Sequence, residues 1–348
     1  MLDLSPLDRA TRLLMTVPLK PVQGDRFQPT GFPSLGAADY QKPTGKRTVL
    51  VESAQSMANR FEAACWDITA NKPAAELTGI SHVSVHQGNE LLTDSMLEAH
   101  RLNSVYIEKS REEFLGKTLA PEMGVDKAKP VNRKKFIEAL VKYDVGCLIH
   151  GVFLESLDGR LRIARALSSF IEAVDVEIAA SGGVKNDRVK ATKEEGKTSK
   201  EGFGNIPFAR DEYVAERINL YINLDLTQIR GYGIGNKVER LLMLLALYKI
   251  CKLIDGDLRL RTACDLVVDR DAKISIAPKE FTLPFLEDLI GKDSKEGELQ
   301  KAIKVCKDLM VHTTVNFEDD LKKAKDEKKS KAEADDAGED DDNEVDNE

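Results

Sequence analysis

The side chains best placed to do chemistry in this chain sit in two stretches, and both suit an anionic partner. The first opens with the loop Gly24-Asp25-Arg26-Phe27-Gln28-Pro29-Thr30-Gly31-Phe32-Pro33 and closes with Glu52-Ser53-Ala54-Gln55-Ser56-Met57-Ala58-Asn59-Arg60. At 100° per residue, Ala54, Ala58, Phe61 and Cys65 make a core-facing stripe, with Glu52, Ser56, Asn59, Arg60 and Ala63 opposite. That opposite face holds small neutral groups and one guanidinium, which lets a phosphate-sugar surface approach closely. A capped, partly buried helix with Ser53 as N-cap has the same appearance. In the loop, Arg26, Phe27 and Gln28 are candidate contacts. Asp25 is the acidic residue there that could serve a metal or a proton transfer, although a salt bridge to a neighbouring Arg is the stronger reading.

The second stretch is Gln228-Ile229-Arg230-Gly231-Tyr232-Gly233-Ile234-Gly235-Asn236-Lys237. Strand, G-x-G, helix is the context of a dinucleotide site, but the third small residue comes one position early. The other reading is a backbone-amide cradle for phosphate, with Arg230 and Lys237 as charges, Gly231 in the turn and Tyr232 as a stacking surface. Further candidates are Arg101 and Asn103 in the cluster Leu97–Ser104, and Arg165 beside Arg160 and Arg162. Lys185, Arg188 and Lys190 lie in the Gly- and Lys-rich segment after Ser181. His82 and His86 share one face of a strand. They lack the H-E-x-x-H context and a third ligand, so they read as paired surface histidines.

The elements that must position these groups follow from periodicity. A short helix is expected over 6–15, a strand over 48–51, a helix from Ser53 and a strand over 80–86. Residues 116–135 read as an excursion broken by Gly116, Pro121, Gly124 and Pro130, followed by a helix over 133–143. The run 146–154 reads as a buried strand. A helix should follow Arg165, with Ile163, Leu167, Phe170, Ile171 and Val174 as its stripe, and a strand is expected over 174–179. The segment from Ser181 to Gly204 is too polar to build a core and reads as a projecting loop. Strict alternation of Ile218, Leu220, Ile222, Leu224 and Leu226 with polar residues predicts a half-buried strand. A helix over 238–254, a basic turn Arg259-Leu260-Arg261, a strand over 263–268 and helices over 283–290 and 298–311 complete the body.

The 348 residues, 42% apolar and 32% charged, have the composition of a soluble globular protein. The formal charge of −8 is unevenly placed. Residues 317–348 hold 6 lysines and 15 acidic residues, so the remaining body carries a net +1 and is open to an anionic partner. The five dispersed cysteines suit reduced core thiols. The acidic, Pro-interrupted start is unlike a signal peptide, and the apolar run 241–248 is too short to span a bilayer. A cytoplasmic protein is the expectation.

Four strings carry a family resemblance: Gly24–Pro33, Val51–Arg60, Leu97–Ser104 and Gln228–Gly233. Over about residues 7–270 the chain resembles the Csb-one (GSU-type) family, the Cas seven-type RAMP proteins of type I-U (or I-G) CRISPR systems. The resemblance implies an α+β fold, an RRM-like (ferredoxin-like) antiparallel sheet palm with inserted fingers and thumb. It implies one RNA-binding domain over 1–316, with 116–135 and 181–207 as insertions, the latter a candidate thumb. Residues 317–348 are an acidic tail expected to be disordered. Function follows as an expectation: several copies assemble head-to-tail on a CRISPR RNA as the backbone of a Cascade complex that recognises complementary target DNA. Other effector-complex subunits would be partners, with no membrane, no cofactor and no catalysis. RNA contact is implied for Gln55, Ser56, Asn59, Arg60, Arg230, Gly231 and Tyr232. A metal-dependent guide-directed RNA nuclease using Asp25, or a dinucleotide-dependent enzyme, are the alternatives.

Overall fold

The computed structural model describes residues 2–32, 36–126, 128–185, 206–256, 258–292 and 295–318. In chain order the strands used below are β1 (Arg12–Pro21), β2 (Asp39–Gln41), β3 (Arg47–Glu52), β4 (His82–Gln87), β5 (Glu90–Asp94) and β6 (Leu167–Lys185). They continue with β7 (Ile206–Asp225), β8 (Leu258–Arg261), β9 (Cys264–Val268), β10 (Ser275–Ala277) and β11 (His312–Asn316). The helices are α1 (Ala54–Ala63), α2 (Arg133–Tyr143), α3 (Leu226–Gly231), α4 (Asn236–Asp255), α5 (Leu286–Ile290) and α6 (Glu298–Cys306).

The architecture is mixed α/β around a large sheet of order β8-β9-β1-β7-β6-β3-β2, with β10 also paired to β1, and its registered pairs are antiparallel. A smaller sheet of order β11-β4-β5 pairs β11 parallel to β4. A single apolar cluster runs from Leu4 to Val315 and draws on the large sheet, on β4 and on α1, α2, α4 and α6. The middle of α4 is apolar almost all round because α1, α5 and α6 pack against it.

Several expected helices are strands. Over 12–20 the buried residues are Leu13, Met15, Val17 and Leu19, a period of two, and the helical part of that region is only the turn Ser5–Leu7. After Arg165, Leu167, Ser169, Ile171 and Ala173 are buried on one face, while Phe170 on the other stacks on Tyr221 at 5.0 Å. Apolar residues on both faces of β6 imitate a helical stripe. The reverse error holds at 146–154, where Cys147–His150 is a helical turn ended by Gly151 at φ +80°. A Cβ at Gly151 would lie 2.8 Å from the Ile163 carbonyl oxygen, so glycine is required there for packing as well as conformation.

Smaller corrections follow the same logic. The excursion at 116–135 is helical over Phe114–Met123, Arg259-Leu260-Arg261 belongs to β8, and the last helix stops at Cys306 before a 3-10 turn Lys307–Leu309. The expected loop after Ser181 continues β6 as far as Lys185, paired with Ile206. Arg188, Lys190 and the tail from 319 lie outside the described residues. Among the described residues no helix is long and apolar enough to cross a membrane. All five cysteines are buried and free.

Candidate nucleic-acid interface

Residues 22–30 leave β1 and cross to β3. Val22 N donates to Asp265 O at 2.9 Å, Gln28 N to Ala263 O at 2.7 Å and Thr30 N to Val51 O at 3.1 Å. The anchor is Phe27, which exchanges backbone hydrogen bonds with Tyr213 and packs its ring 6.4 Å from that residue. Phe27 is 1% exposed, so it is a core residue and not a stacking platform for a ligand. Arg26 and Asp25 stand exposed beside it.

β3 ends at Glu52, and Ser53 caps α1 by accepting from Ser56 N at 3.3 Å. Gln55 and Asn59 are exposed, Ser56 and Arg60 half-buried, and Met57, Ala58 and Phe61 face the core. Glu52, expected on the open side, is buried. It accepts from Ser56 Oγ, Arg60 and Arg261. Arg60 also donates to Arg259 O at 3.3 Å and Leu260 O at 2.8 Å, and Arg261 to Gln28 O at 2.7 Å and Val51 O at 3.1 Å. One buried carboxylate with two guanidiniums thus ties loop, α1 and β8 together. Arg60 is largely committed to the protein, which leaves Gln55, Asn59 and Arg26 as the open polar groups here. Arg261 was missed as a site residue because its string reads as a turn.

The far end of α1 backs a cleft of about 1080 Å³. Its lining brings together segments 98–108 and 150–155, Arg133 of α2, residues 162–165 and Gln228 of α3. Three expected site residues, Arg101, Asn103 and Arg165, therefore meet in one place. Arg101 is not a free contact, however. At φ +50° and 4% exposed, it donates through Nε and Nη2 to Glu62 of α1 at 2.9 and 2.5 Å. Burial pushes the Glu62 carboxyl up to about 7, against the pull of Arg101 and Lys249. Asn103 accepts from Ser156 Oγ at 3.2 Å. Arg133, Arg162 and Arg165 are exposed, and their side chains have no hydrogen-bond or ion-pair partner among the described residues. Partial burial and the nearby Arg101 charge lower the Arg165 pKa. Glu98, Glu108 and Glu155 share the lining, and Glu98 already accepts from Thr93 and Ser104 hydroxyls at 2.6 and 2.8 Å.

The glycine-rich turn joins α3 to α4, two helices, so it lacks the strand that a dinucleotide site requires. Arg230 clamps the chain start, donating to Leu7 O at 3.4 Å and to Ala10 O. Tyr232 is 5% exposed, donates to Leu148 O at 2.7 Å and accepts from Gln228 at 2.7 Å; burial raises its hydroxyl to about 12. Both are structural, and of the expected turn contacts Gly231 and Lys237 are exposed. The turn adjoins the start of β1, where Leu226 N donates to Thr11 O. Arg60 anchors past the opposite end of that strand. Ten residues separate the two ends by about 30 Å, so Arg60 and Arg230 do not flank one contact. The cleft adjoins both regions, through Arg101–Glu62 on one side and Gln228 on the other.

Of the two expected surface histidines, His82 is buried and His86 half-buried. His82 Nδ1 lies 2.7 Å from Asp94 Oδ2, its ring stacks on His312 at 4.3 Å, and Ser84 Oγ links Asp94 to His312 at 2.7 and 2.9 Å. Among the described residues no group of three or more His, Cys, Asp or Glu could hold a metal ion.

Fold and site together define a mixed α/β protein on a large antiparallel sheet, with an arginine-lined cleft beside a small polar helix face. The family model described as CRISPR-associated protein GSU0053 matches residues 13–178. That match spans just under half of the chain. No curated protein matches it. Similar solved structures include a chain of a "CRISPR RNA-guided surveillance complex, pre-nicking", 13% identical over 69% of both chains with a TM-score of 0.36. A chain of a "CRISPR RNA-guided surveillance complex" is 12% identical over 86% of this chain and 81% of that one, TM-score 0.34. Thermofilum pendens Csc2 is 11% identical over 86% and 76%, TM-score 0.30.

Proposed function

We propose that the chain binds CRISPR RNA along its sugar-phosphate backbone as a non-enzymatic subunit of a cytoplasmic type I interference complex. Several copies polymerise head-to-tail on one RNA, other effector subunits join them, and the assembly pairs the RNA with complementary DNA. The palm would be an RRM-like sheet, from which the paired strands β6 and β7 extend as the thumb. The match of residues 13–178 to the model of a CRISPR-associated family supports this reading. The observation that carries it is the meeting of Arg133, Arg162 and Arg165 in a cleft backed by α1, three guanidiniums that form no ion pair among the described residues. Backbone recognition calls for such groups together with exposed neutral donors, here Gln55 and Asn59.

The test is affinity for CRISPR RNA measured across salt concentrations. Each neutralised phosphate of a single strand adds about −0.7 to the salt slope. Arg162→Ala with Arg165→Ala should weaken binding and reduce the slope by about 1.4. Unchanged affinity and slope in that variant and in Gln55→Ala/Asn59→Ala would sink the reading. In the same samples, complementary RNA incubated with Mg²⁺ should stay intact; cleavage abolished by Asp25→Ala would show an enzyme instead.

A further inference from the structure

His150 forms part of the cleft lining, is 1% exposed, and neither ring nitrogen has a hydrogen-bond partner among the described residues. A neutral imidazole offers one donor and one acceptor, and both are ordinarily used when buried. Burial, with Lys249, Arg101 and Arg165 nearby, holds the His150 pKa well below its ordinary value. The inner end of the cleft therefore offers neutral hydrogen-bonding capacity at His150, beside an Arg101 guanidinium already held by Glu62. Its back is fixed by the Phe61 ring of α1, stacked on the imidazole at 6.4 Å.

The remaining lining divides by chemistry. Val152 and Ile163 make an apolar wall, and Phe153, 45% exposed, presents a ring that the core does not use. Arg162 and Arg165 are open to an anion. Glu155 is an exposed acceptor suited to hydroxyl donors. An aromatic face, a neutral polar floor, a hydroxyl acceptor and guanidiniums correspond to the base, base edge, ribose and phosphate of one nucleotide. At about 1080 Å³ the cleft is at the upper end of small-ligand sites. We infer that it captures a single unstacked ribonucleotide, with the base on Phe153 and toward His150 and the phosphate at Arg162 and Arg165. This rests on the RNA-binding reading and goes beyond it, because grip along the backbone needs no base contact.

The experiment uses the full chain and fluorescein-labelled single-stranded RNAs of about a dozen nucleotides, one intact and the others each lacking one base at successive positions. For wild type, one register of abasic substitution should weaken binding about tenfold, as loss of one stacked base does. Phe153→Ala should weaken the intact RNA by a similar factor, leave the salt slope unchanged and erase the sensitivity to the abasic register. His150→Phe, which retains packing against Phe61, should also reduce that sensitivity. If intact RNA binds but no abasic register matters and Phe153→Ala has no effect, the inference fails while the RNA reading stands. If no RNA binds, the RNA reading falls and the inference with it. Adenosine and uridine 5′-monophosphates at millimolar concentration form the remaining arm. Saturable binding of either without RNA binding would assign the cleft to a free nucleotide and overturn capture from a strand.

Discussion

Glu62 and Arg101 show how a charged residue in a promising string can serve the fold. The guanidinium lies in the cleft lining, yet its donors are spent on a carboxylate that is itself 3% exposed. Removing one partner of such a pair leaves a buried charge, which typically costs about 3–5 kcal/mol. The pair also shapes the pH response. Burial raises Glu62 from 4.5 to about 7, so the folded state binds a proton that the unfolded state releases first. Its contribution is fully present below about pH 4.5 and is lost as pH rises to about 7. Glu62→Gln keeps a hydrogen-bond acceptor for Arg101 without the titration. Chemical denaturation between pH 4.5 and 7 should show a less negative stability slope than wild type; an identical slope would remove Glu62 as its source.

At the scale of elements, β6 and β7 outrun the sheet. β6 pairs with β3 as far as Val174, and β7 with β1 as far as Ile218. From Val176↔Ala215 to Lys185↔Ile206 the two strands pair with each other, and the one further backbone partner among the described residues is Phe27, bridged to Tyr213. Ten residues at strand rise make a ribbon of about 33 Å. Lys46, bonded to Asp175 at 2.7 Å and Glu216 at 2.8 Å, marks where it leaves the body. An isolated two-stranded ribbon is marginal in water, and the apolar cluster enters this one at Val176 and Tyr213, near its base. Replacing residues 179–211 by an Asn-Gly turn should therefore leave the melting temperature of the body within a few degrees of wild type. A collapse of the thermal transition would show that the ribbon is part of the folding unit.

For the whole molecule the useful electrostatic quantity is the distribution of charge, not the total. Residues 319–348 hold 14 acidic residues and 6 lysines, so their removal brings the formal charge from −8 to 0. On the RNA-binding reading this segment repels the ligand, and the repulsion is screened by salt. Deleting 319–348 should tighten RNA binding at low ionic strength, with the difference fading toward 0.5 M salt. Equal affinities for the two chains at low salt would show that the segment has no electrostatic influence on binding.

Local signals in the residues alone determined a good deal. The alternation at 218–226 marks the end of β7, the spacing at 133–143 marks α2, and Ser53 with the following small residues marks α1. The family strings identified the loop and helix that carry the open polar groups. Tertiary structure decided which charges are available. Glu62 meets Arg101 across 39 residues and Glu52 meets Arg261 across 209, and neither pairing leaves a trace in local spacing. It also decided that runs with apolar residues on both faces, such as 167–174, become strands, because β3 and β7 satisfy the backbone hydrogen bonds along both edges. The cleft belongs to the same level. Arg133, His150, Phe153, Arg165 and Gln228 are unremarkable apart, and only the packing of α1, α2 and α3 around them makes one site.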